Sequence, residues 1–269
     1  MLILGFESTA HTFGAAVVES KIEGKSAKLT PANTKIISEI DVKYPSLKEG
    51  FIPRKLADFH AKNFDGILEG ALEKAGASLS DLDAVCFSYG PGIGHSLHIG
   101  YIASKSISVS QKIPLVPVNH ALAHIEVARF FSGHQDPLAI YVSGGNTQLL
   151  VLENSRKGLM RYRVLGETMD VGLGNTLDQL GRRLQLEPPD AVGVLKQASL
   201  GKNLIDLPYL VKGMSSSFSG MLTAAMKIDL RKNTVADLCY SAQEYCFSML
   251  LETAERALTL SKKRAIVGV

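Results

Sequence analysis

No uninterrupted apolar run in this 269-residue chain approaches the roughly 18–20 residues a membrane-spanning helix needs, although the mean hydropathy is slightly positive at +0.12. The N-terminus is equally short of targeting features. Met1-Leu2-Ile3-Leu4-Gly5 has no basic flank and no cleavage site before the polar loop that follows, so it reads as a first strand rather than a signal peptide. The expectation is a soluble, cytoplasmic protein with no membrane partner. Cysteine is scarce. Cys86, Cys239 and Cys246 lie in apolar or helical contexts without CxxC spacing, which argues against a disulfide framework and for buried, reduced thiols. Charge imbalance is small too: a net +3 and a pI near 8.6 permit an RNA partner without demanding one. Tryptophan is absent, and aromatic and basic residues nowhere alternate in the manner of an RNA-stacking surface.

What is present is an ordinary globular composition, 46% hydrophobic and 20% charged, at a length that suits one large or two modest domains. Leu2–Phe6 and Gly14–Val18 form two short apolar strands, and the polar turn Glu7-Ser8-Thr9-Ala10-His11-Thr12 joins them into a hairpin whose tip offers hydroxyls and backbone N–H groups. Lys21–Thr34 is Lys/Ser/Thr-rich and reads as a solvated loop or hairpin, and Ile36–Val42 as another strand. From Arg54 to Ala75 the residues Leu56, Phe59, Phe64, Ile67, Leu68, Ala71 and Leu72 follow helical spacing. Asp83–Ser88 reads as a buried strand, Gly90–Gly94 as a tight loop, about Gly100–Ser110 as a helix, Leu115–Val118 as a strand and Asn119–Phe131 as a helix. The opening pattern then recurs: strand Leu138–Val142, turn Ser143-Gly144-Gly145-Asn146-Thr147, returning strand Gln148–Leu152. Two such units suggest duplicated domains, 1–133 and 134–269, with the boundary near Ser132–Asp136. A strand at Arg161–Leu165, a helix at Gly174–Leu186, a Pro-rich loop, a Ser-rich turn at Met214–Ser219 and a long helix from Val235 to Leu260 follow. The last residues, Ala265–Val269, read as a strand with no turn after it, from which a missing C-terminal part is expected.

Three constellations carry chemistry. In Val118-Asn119-His120-Ala121-Leu122-Ala123-His124, the two histidines stand at i and i+4 on one helix face, close enough for both imidazoles to hold one transition metal. The alternative is a pair of helix-start histidines satisfied by backbone carbonyls. No HExxH glutamate lies between them, which argues against a metalloprotease. Ser143-Gly144-Gly145-Asn146-Thr147 pairs glycines at a hairpin tip, where backbone amides can approach a phosphate; the plainer reading is a tight turn. Asp178, in Gly174-Asn175-Thr176-Leu177-Asp178, can accept ribose hydroxyls or pair with Arg182 one helical turn on. Gly90–Gly94 before a helix is either an anion site or a plain strand–helix turn. His95 and His98 read as solvent-facing or structural, and His60 with Arg54 as a solvated face or part of a basic one.

Taken in order, Gly5–Phe13, Tyr89–Gly94, Pro117–His120, Tyr141–Thr147, Gly166-Glu167-Thr168 and Ser217-Phe218-Ser219-Gly220 resemble the tRNA threonylcarbamoyladenosine transferase family, in its archaeal and eukaryotic form, over essentially the whole chain. The resemblance implies an α/β fold of two ribonuclease-H-like domains, of the actin/Hsp70/sugar-kinase (ASKHA) superfamily. It implies transfer of a threonylcarbamoyl group from threonylcarbamoyl-adenylate to the N6 amine of the adenosine beside the tRNA anticodon. One divalent ion, iron or zinc, would be held by His120, His124 and Tyr141, completed in the family by an aspartate. The nucleotide, the adenylate or ATP, would lie along Tyr141, Val142, Ser143, Gly144, Gly145 and Asn146, with its ribose near Asp178. The partners implied are tRNA and the other KEOPS subunits, a kinase-like ATPase and small helpers.

The sequence departs from the family in two places. The family's Pro-Gly-Gly-Pro loop is here Pro188-Pro189-Asp190-Ala191-Val192-Gly193-Val194-Leu195, which puts Ala191 at a glycine position and Leu195 at that of a ribose-binding glutamate. The adenine-contacting asparagine and the metal-binding aspartate fall beyond Val269. These departures keep open an inactive scaffold or heterodimer partner. A kinase on the same fold would need an aspartate opening the second half, where Ser143-Gly144-Gly145 stands.

Overall fold

The computed structural model describes residues 1–21, 30–45, 52–154 and 160–269, so most of the Lys21–Thr34 stretch lies outside the described residues. The chain divides into two compact units, Met1–Gly133 and His134–Val269.

In the first unit, β1 (Leu2–Glu7), β2 (Thr12–Ser20) and β3 (Thr34–Lys43) form an antiparallel meander. Helix α1 (Pro53–Ala75) leads to β4 (Ala84–Gly90), α2 (Gly94–Gln111) to β5 (Leu115–Asn119), and α3 (His120–Ser132) closes the unit. The sheet order is β3-β2-β1-β4-β5, with β1, β4 and β5 parallel. Alternation along the strands sends Leu4, Phe6, Phe13, Val17, Val85 and Phe87 to one face, where they pack with Ile67, Ala71 and Leu72 of α1 and Ile107 of α2.

Three local expectations need correction. His60 is not on a solvated face: it is fully buried on α1, its ring 5.2 Å from that of Phe13. The apolar stripe of α1 is wide enough to take in position 60, while Arg54 stays exposed. Helix α2 begins at Gly94 rather than near Gly100. Its first turns carry Gly, His and Ser in place of an apolar repeat, and packing fixes them instead, with Ser96 fully buried. Nor do the β1–β2 hydroxyls face outward. Ser8 and Thr9 are buried, Ser8 beneath Gly100, where a Cβ would stand 2.1 Å from the Ser8 hydroxyl.

The second unit repeats the meander with β6 (Leu138–Val142), β7 (Thr147–Asn154) and β8 (Met160–Glu167). Next come α4 (Leu173–Arg183), α5 (Ala191–Ala198), the two-residue strands β9 (Val211–Lys212) and β10 (Ser215–Ser216), and α6 (Ser219–Ala225). The long α7 (Val235–Ser261) and β11 (Ile266–Gly268) complete it. β11 joins β6 in parallel, giving the order β11-β6-β7-β8. Both main sheets therefore share one arrangement: a meander, then a later strand laid parallel to its first. Leu138, Ile140, Leu149 and Val151 meet Ala254 and Ala257 of α7, while Leu177, Leu180, Phe218, Met221, Cys246 and Met249 build a helical core. Cys239 and Cys246 are buried free thiols and Cys86 is half-buried. Burial pushes the Cys239 thiol up to about 11 and that of Cys246 to about 12, so both stay protonated and inert.

Candidate active site

In the first unit the parallel strands β1, β4 and β5 end at one level, and each end delivers a functional side chain. Phe6 pairs with Phe87, which sets the next residues, Glu7 and Ser88, side by side. β5 passes without a linker into α3, whose cap is Asn119: its side-chain oxygen accepts from the Leu122 amide at 3.1 Å. That cap places His120 at the first helical position, beside Glu7.

The Glu7 carboxylate is the centre of this cluster. Oε1 accepts the Thr9 amide at 2.7 Å and the Thr9 hydroxyl, while Oε2 accepts the Ser88 hydroxyl at 2.5 Å and lies 3.1 Å from Nδ1 of His120. Burial alone would raise the Glu7 pKa. The hydrogen bonds from His120, Ser88 and Thr9 outweigh it and hold the carboxyl down at about 2. An ionised carboxylate only accepts, so Nδ1 of His120 is the donor in this contact. His124, one turn on, stacks edge-to-face on His120 with ring centroids 4.6 Å apart. Partial burial, and then the neighbouring His120, lower the His124 pKa, which favours the neutral form that ligates metals. A cleft of about 770 Å³ opens over this end of the sheet, lined among others by Gly5, Glu7, Ala16, Ser88, His120 and His124.

The donor set fits a transition-metal ion in kind: two imidazoles on one helix face, one backed by a carboxylate. Among the described residues no group of three or more His, Cys, Asp or Glu side chains gathers as a ligand set. Tyr141 lies in the second unit, buried on β6.

In that unit the β6–β7 turn is closed by its own atoms. Ser143 N donates to the Asn146 carbonyl at 2.8 Å, and the Ser143 hydroxyl accepts from the Asn146 amide at 3.0 Å. Behind the turn, α4 approaches so closely that a Cβ on Gly172 would stand 2.9 Å from Asn146 N, and one on Gly174 2.9 Å from the Ser143 carbonyl oxygen. Thr147 Oγ1 accepts the Leu173 amide at 2.9 Å, fixing the helix start against the strand. Gly144 and Gly145 differ from these packing glycines. Both are exposed, neither has a left-handed φ, and a Cβ on either would meet no described atom within 4 Å.

Asp178, expected at the ribose or paired with Arg182, accepts the Ala191 amide at 2.8 Å through Oδ1 and so anchors the start of α5 beside its cap, Asp190. Leu195 is partly exposed on α5 and brings no polar group. His95 and His98 are exposed, with His98 Nδ1 3.1 Å from the Gly94 carbonyl oxygen. The Gly90–Gly94 loop is drawn onto the β1–β2 turn, the Ile93 amide donating to the Thr9 carbonyl at 2.7 Å.

Sequence reasoning missed two groups. Ser88 had a signal in a hydroxyl at the end of an otherwise apolar strand. Asp170 had none: the Ser217 and Ser219 hydroxyls at 2.5 Å and the Phe218 amide at 3.0 Å converge on it across more than forty residues of chain. Burial would raise its pKa, but these bonds hold it well below the usual carboxylate range.

The family model described as "TsaD: tRNA N6-adenosine threonylcarbamoyltransferase" matches residues 34–269. A tRNA N6-adenosine threonylcarbamoyltransferase of Caldivirga maquilingensis is 41% identical over 267 residues, 99% of this chain and 76% of that protein. One of Sulfurisphaera tokodaii is 40% identical, covering all of this chain and 77% of that protein. A protein of Methanocaldococcus jannaschii, named a probable bifunctional tRNA threonylcarbamoyladenosine biosynthesis protein, is 39% identical over 100% of this chain and 47% of its own length. Among solved structures, T. kodakarensis HypF superposes with a TM-score of 0.58 at 12% identity, over 97% of this chain and 41% of that one. The Acidaminococcus fermentans (R)-2-hydroxyglutaryl-CoA dehydratase component A gives 0.52 at 12% identity, over 100% and 92%. These two likenesses speak for the fold alone, two α/β units of the ASKHA type. Among the described residues no helix is long and apolar enough to cross a membrane.

Proposed function

The chain belongs to the tRNA N6-adenosine threonylcarbamoyltransferase family, and from that membership we propose that it moves a threonylcarbamoyl group from threonylcarbamoyl-adenylate to the N6 amine of the adenosine beside the anticodon. The activity rests on the family. The placing of the donor rests on one observation, the bare pair Gly144–Gly145. Neither the turn's backbone nor its packing needs glycine at these positions, so the missing side chains leave room for something outside the chain. Amides on such a turn suit a phosphate, and they counter the negative charge that grows on the phosphate as the carbamoyl group leaves. In this reading the adenylate runs along Tyr141–Asn146, with Asp178 offering its second oxygen to the ribose.

His120 and His124 with Tyr141 would hold an iron or zinc ion, whose contribution is Lewis-acid polarisation of the carbamoyl carbonyl. Glu7 and Ser88 keep His120 aimed; the adenosine amine attacks the carbonyl carbon, the carbonyl–phosphate bond breaks as AMP departs, and the amine's proton passes to solvent. In the cell this takes place, on our reading, in the KEOPS assembly with a kinase-like ATPase and small helper subunits.

The test supplies the purified chain with threonylcarbamoyl-adenylate, iron or zinc, tRNA and those subunits, and measures threonylcarbamoyladenosine by mass spectrometry of digested tRNA. Product formation that His120→Ala/His124→Ala abolishes supports the proposal. Absence of product, with the chain still assembling with its partners, overturns it in favour of a scaffold.

A further inference from the structure

We infer that Asp170 is a positioning residue for the nucleotide, tying the Ser217–Ser219 segment to the strip of chain that backs the β6–β7 turn, an inference that rests on the reading of that turn as a phosphate site. It gives the Ser-rich turn before α6 a part in the proposed reaction. The β6–β7 turn has an open side and a backed one. On the open side Cβ atoms at Gly144 and Gly145 would meet no described atom within 4 Å. On the other stands the strip Thr168–Leu173, with Gly172 packed so closely that a Cβ would reach Asn146 N, the Gly144 carbonyl oxygen and the Gly145 carbonyl carbon, each at 2.9 Å. Thr147 ties both ends of the strip to β7: its carbonyl accepts the Thr168 amide at 2.9 Å, and its hydroxyl accepts the Leu173 amide at 2.9 Å. Between those ends the strip is held by the segment before α6. The Met169 amide donates to the Ser216 carbonyl at 2.8 Å, and Asp170 binds the three residues that follow.

Oδ1 of Asp170 accepts the Val171 amide at 2.7 Å and the Phe218 amide at 3.0 Å. Oδ2 accepts the Ser219 amide at 3.2 Å and the hydroxyls of Ser217 and Ser219, both at 2.5 Å. Main-chain amides thus converge on both oxygens, and a main-chain N–H can only donate. Asparagine has one acceptor oxygen and one NH₂ in the same places. Whichever way the side chain of Asp170→Asn turns, its NH₂ meets at least one main-chain N–H, so part of the tie is lost in either orientation. Asp170 is exposed and the substitution is near-isosteric, so no cavity forms. What changes is the support behind the turn, and amides that hold a phosphate must be fixed to within about 0.5 Å.

The experiment takes two readings on the full chain: ATP affinity by calorimetry, and hydrogen exchange of the Ser143–Thr147 amides by mass spectrometry. The Ser143 and Asn146 amides are hydrogen-bonded within the turn, so their exchange reports its opening. Asp170→Asn should weaken ATP binding roughly tenfold and speed exchange in the turn. Asp237→Asn is the control, because Asp237 clamps the Lys202 and Asn203 amides in the same unit and none of its bonds reaches the turn or the strip behind it. It should lower the unfolding temperature and leave both readings as in wild type. Either reading at its wild-type value in Asp170→Asn would overturn the inference, and so would equal changes in Asp237→Asn, since lost stability alone would then account for them. ATP binding that Gly145→Ala leaves unchanged would instead sink the phosphate reading, and the tie would then stand or fall on exchange alone. Should Asp170→Asn fail to fold, Ser217→Ala/Ser219→Ala, which removes the two hydroxyl donors, decides: weaker ATP binding with faster exchange supports the tie, and wild-type values refute it.

Discussion

Alanine substitution at two glycines only a few residues from one turn should have opposite consequences. At Gly172, φ is −63° and ψ 149°, a conformation alanine adopts freely. What forbids alanine is contact: its Cβ would stand 2.9 Å from Asn146 N, from the Gly144 carbonyl oxygen and from the Gly145 carbonyl carbon. All three are main-chain atoms of the β6–β7 turn and cannot swing aside as a side-chain end can. Forcing a methyl into so tight a contact costs about 1–3 kcal/mol. Loss of a favourable N-cap residue adds a few tenths, and the stiffer unfolded chain returns about 0.4–1 kcal/mol. The net is a destabilisation of about 0.3–3 kcal/mol, which lowers the unfolding midpoint of a unit this size by roughly 1–10 °C.

Gly145→Ala meets no described atom and should leave the midpoint within about 1–2 °C. Its methyl nevertheless stands where the phosphate is proposed to approach, so nucleotide affinity should fall by at least tenfold. Thermal unfolding by circular dichroism, with ATP binding by calorimetry, reads both. A Gly172→Ala protein that melts with wild type would refute the close approach. A Gly145→Ala protein that binds ATP as tightly as wild type would refute the phosphate site.

Other perturbations test other parts. Burial lowers the His60 pKa more strongly than the Ala10 carbonyl and the Glu7 charge raise it, so the folded chain resists a proton that the unfolded chain takes. Stability from this group is complete above about pH 6.5 and is lost as pH falls below it, by up to about 1.4 kcal/mol per pH unit. His60→Leu should remove that slope in urea unfolding measured between pH 8 and pH 5, and an unchanged slope would show that His60 protonates freely in the fold. Asp170 is also depressed, so its contribution is present at neutral pH and lost as pH falls below the usual carboxylate range. Asp170→Asn should destabilise by about 1–2 kcal/mol at pH 7, kept modest by the exposure of the group, and the gap should begin to narrow as pH falls below about 4; a gap constant with pH would refute the charge argument. Metal content by mass spectrometry should be near one ion per chain in wild type and close to zero in His120→Ala/His124→Ala, and equal content in both would place the ion elsewhere.

The elements were legible where one rule governed them. Strand–polar turn–strand appeared twice in the sequence because each turn breaks an apolar alternation, and α1 and α7 because their apolar spacing is long and regular. The histidine pair was visible as an i,i+4 spacing. What stayed hidden depends on distant chain segments. The start of α2 is set by packing against Ser8 rather than by its own residues. His60 is a polar residue on a face that the phenylalanine cluster covers. Glu7 was visible as the first residue of the polar turn after an apolar strand, but its partners Ser88 and His120 stand 81 and 113 residues away. Gly174 opened the expected helix and Gly172 carried no reading of its own; the approach of the Ser143–Asn146 turn explains both.

The shared strand arrangement of the two units sharpens the contrast in chemistry. β1 and β6 are the corresponding first strands, each running into a turn and an antiparallel return. β1 ends in Glu7, a charged group that three other residues hold in place. β6 ends in Val142, followed by Ser143 and two glycines, with no ionisable side chain until well along β7. One unit therefore offers fixed side-chain donors and a carboxylate, the other a turn of main-chain amides stripped of side chains. Phosphoryl transfer on such a fold would be expected to call for a carboxylate beside the phosphates to receive the acceptor's proton. The proposed transfer breaks a carbonyl–phosphate bond, and the proton its attacking amine gives up is released at the carbonyl rather than at the phosphates. It requires a place where phosphate leaves and a separate set of groups to orient the carbonyl, and the two strand ends differ in that way.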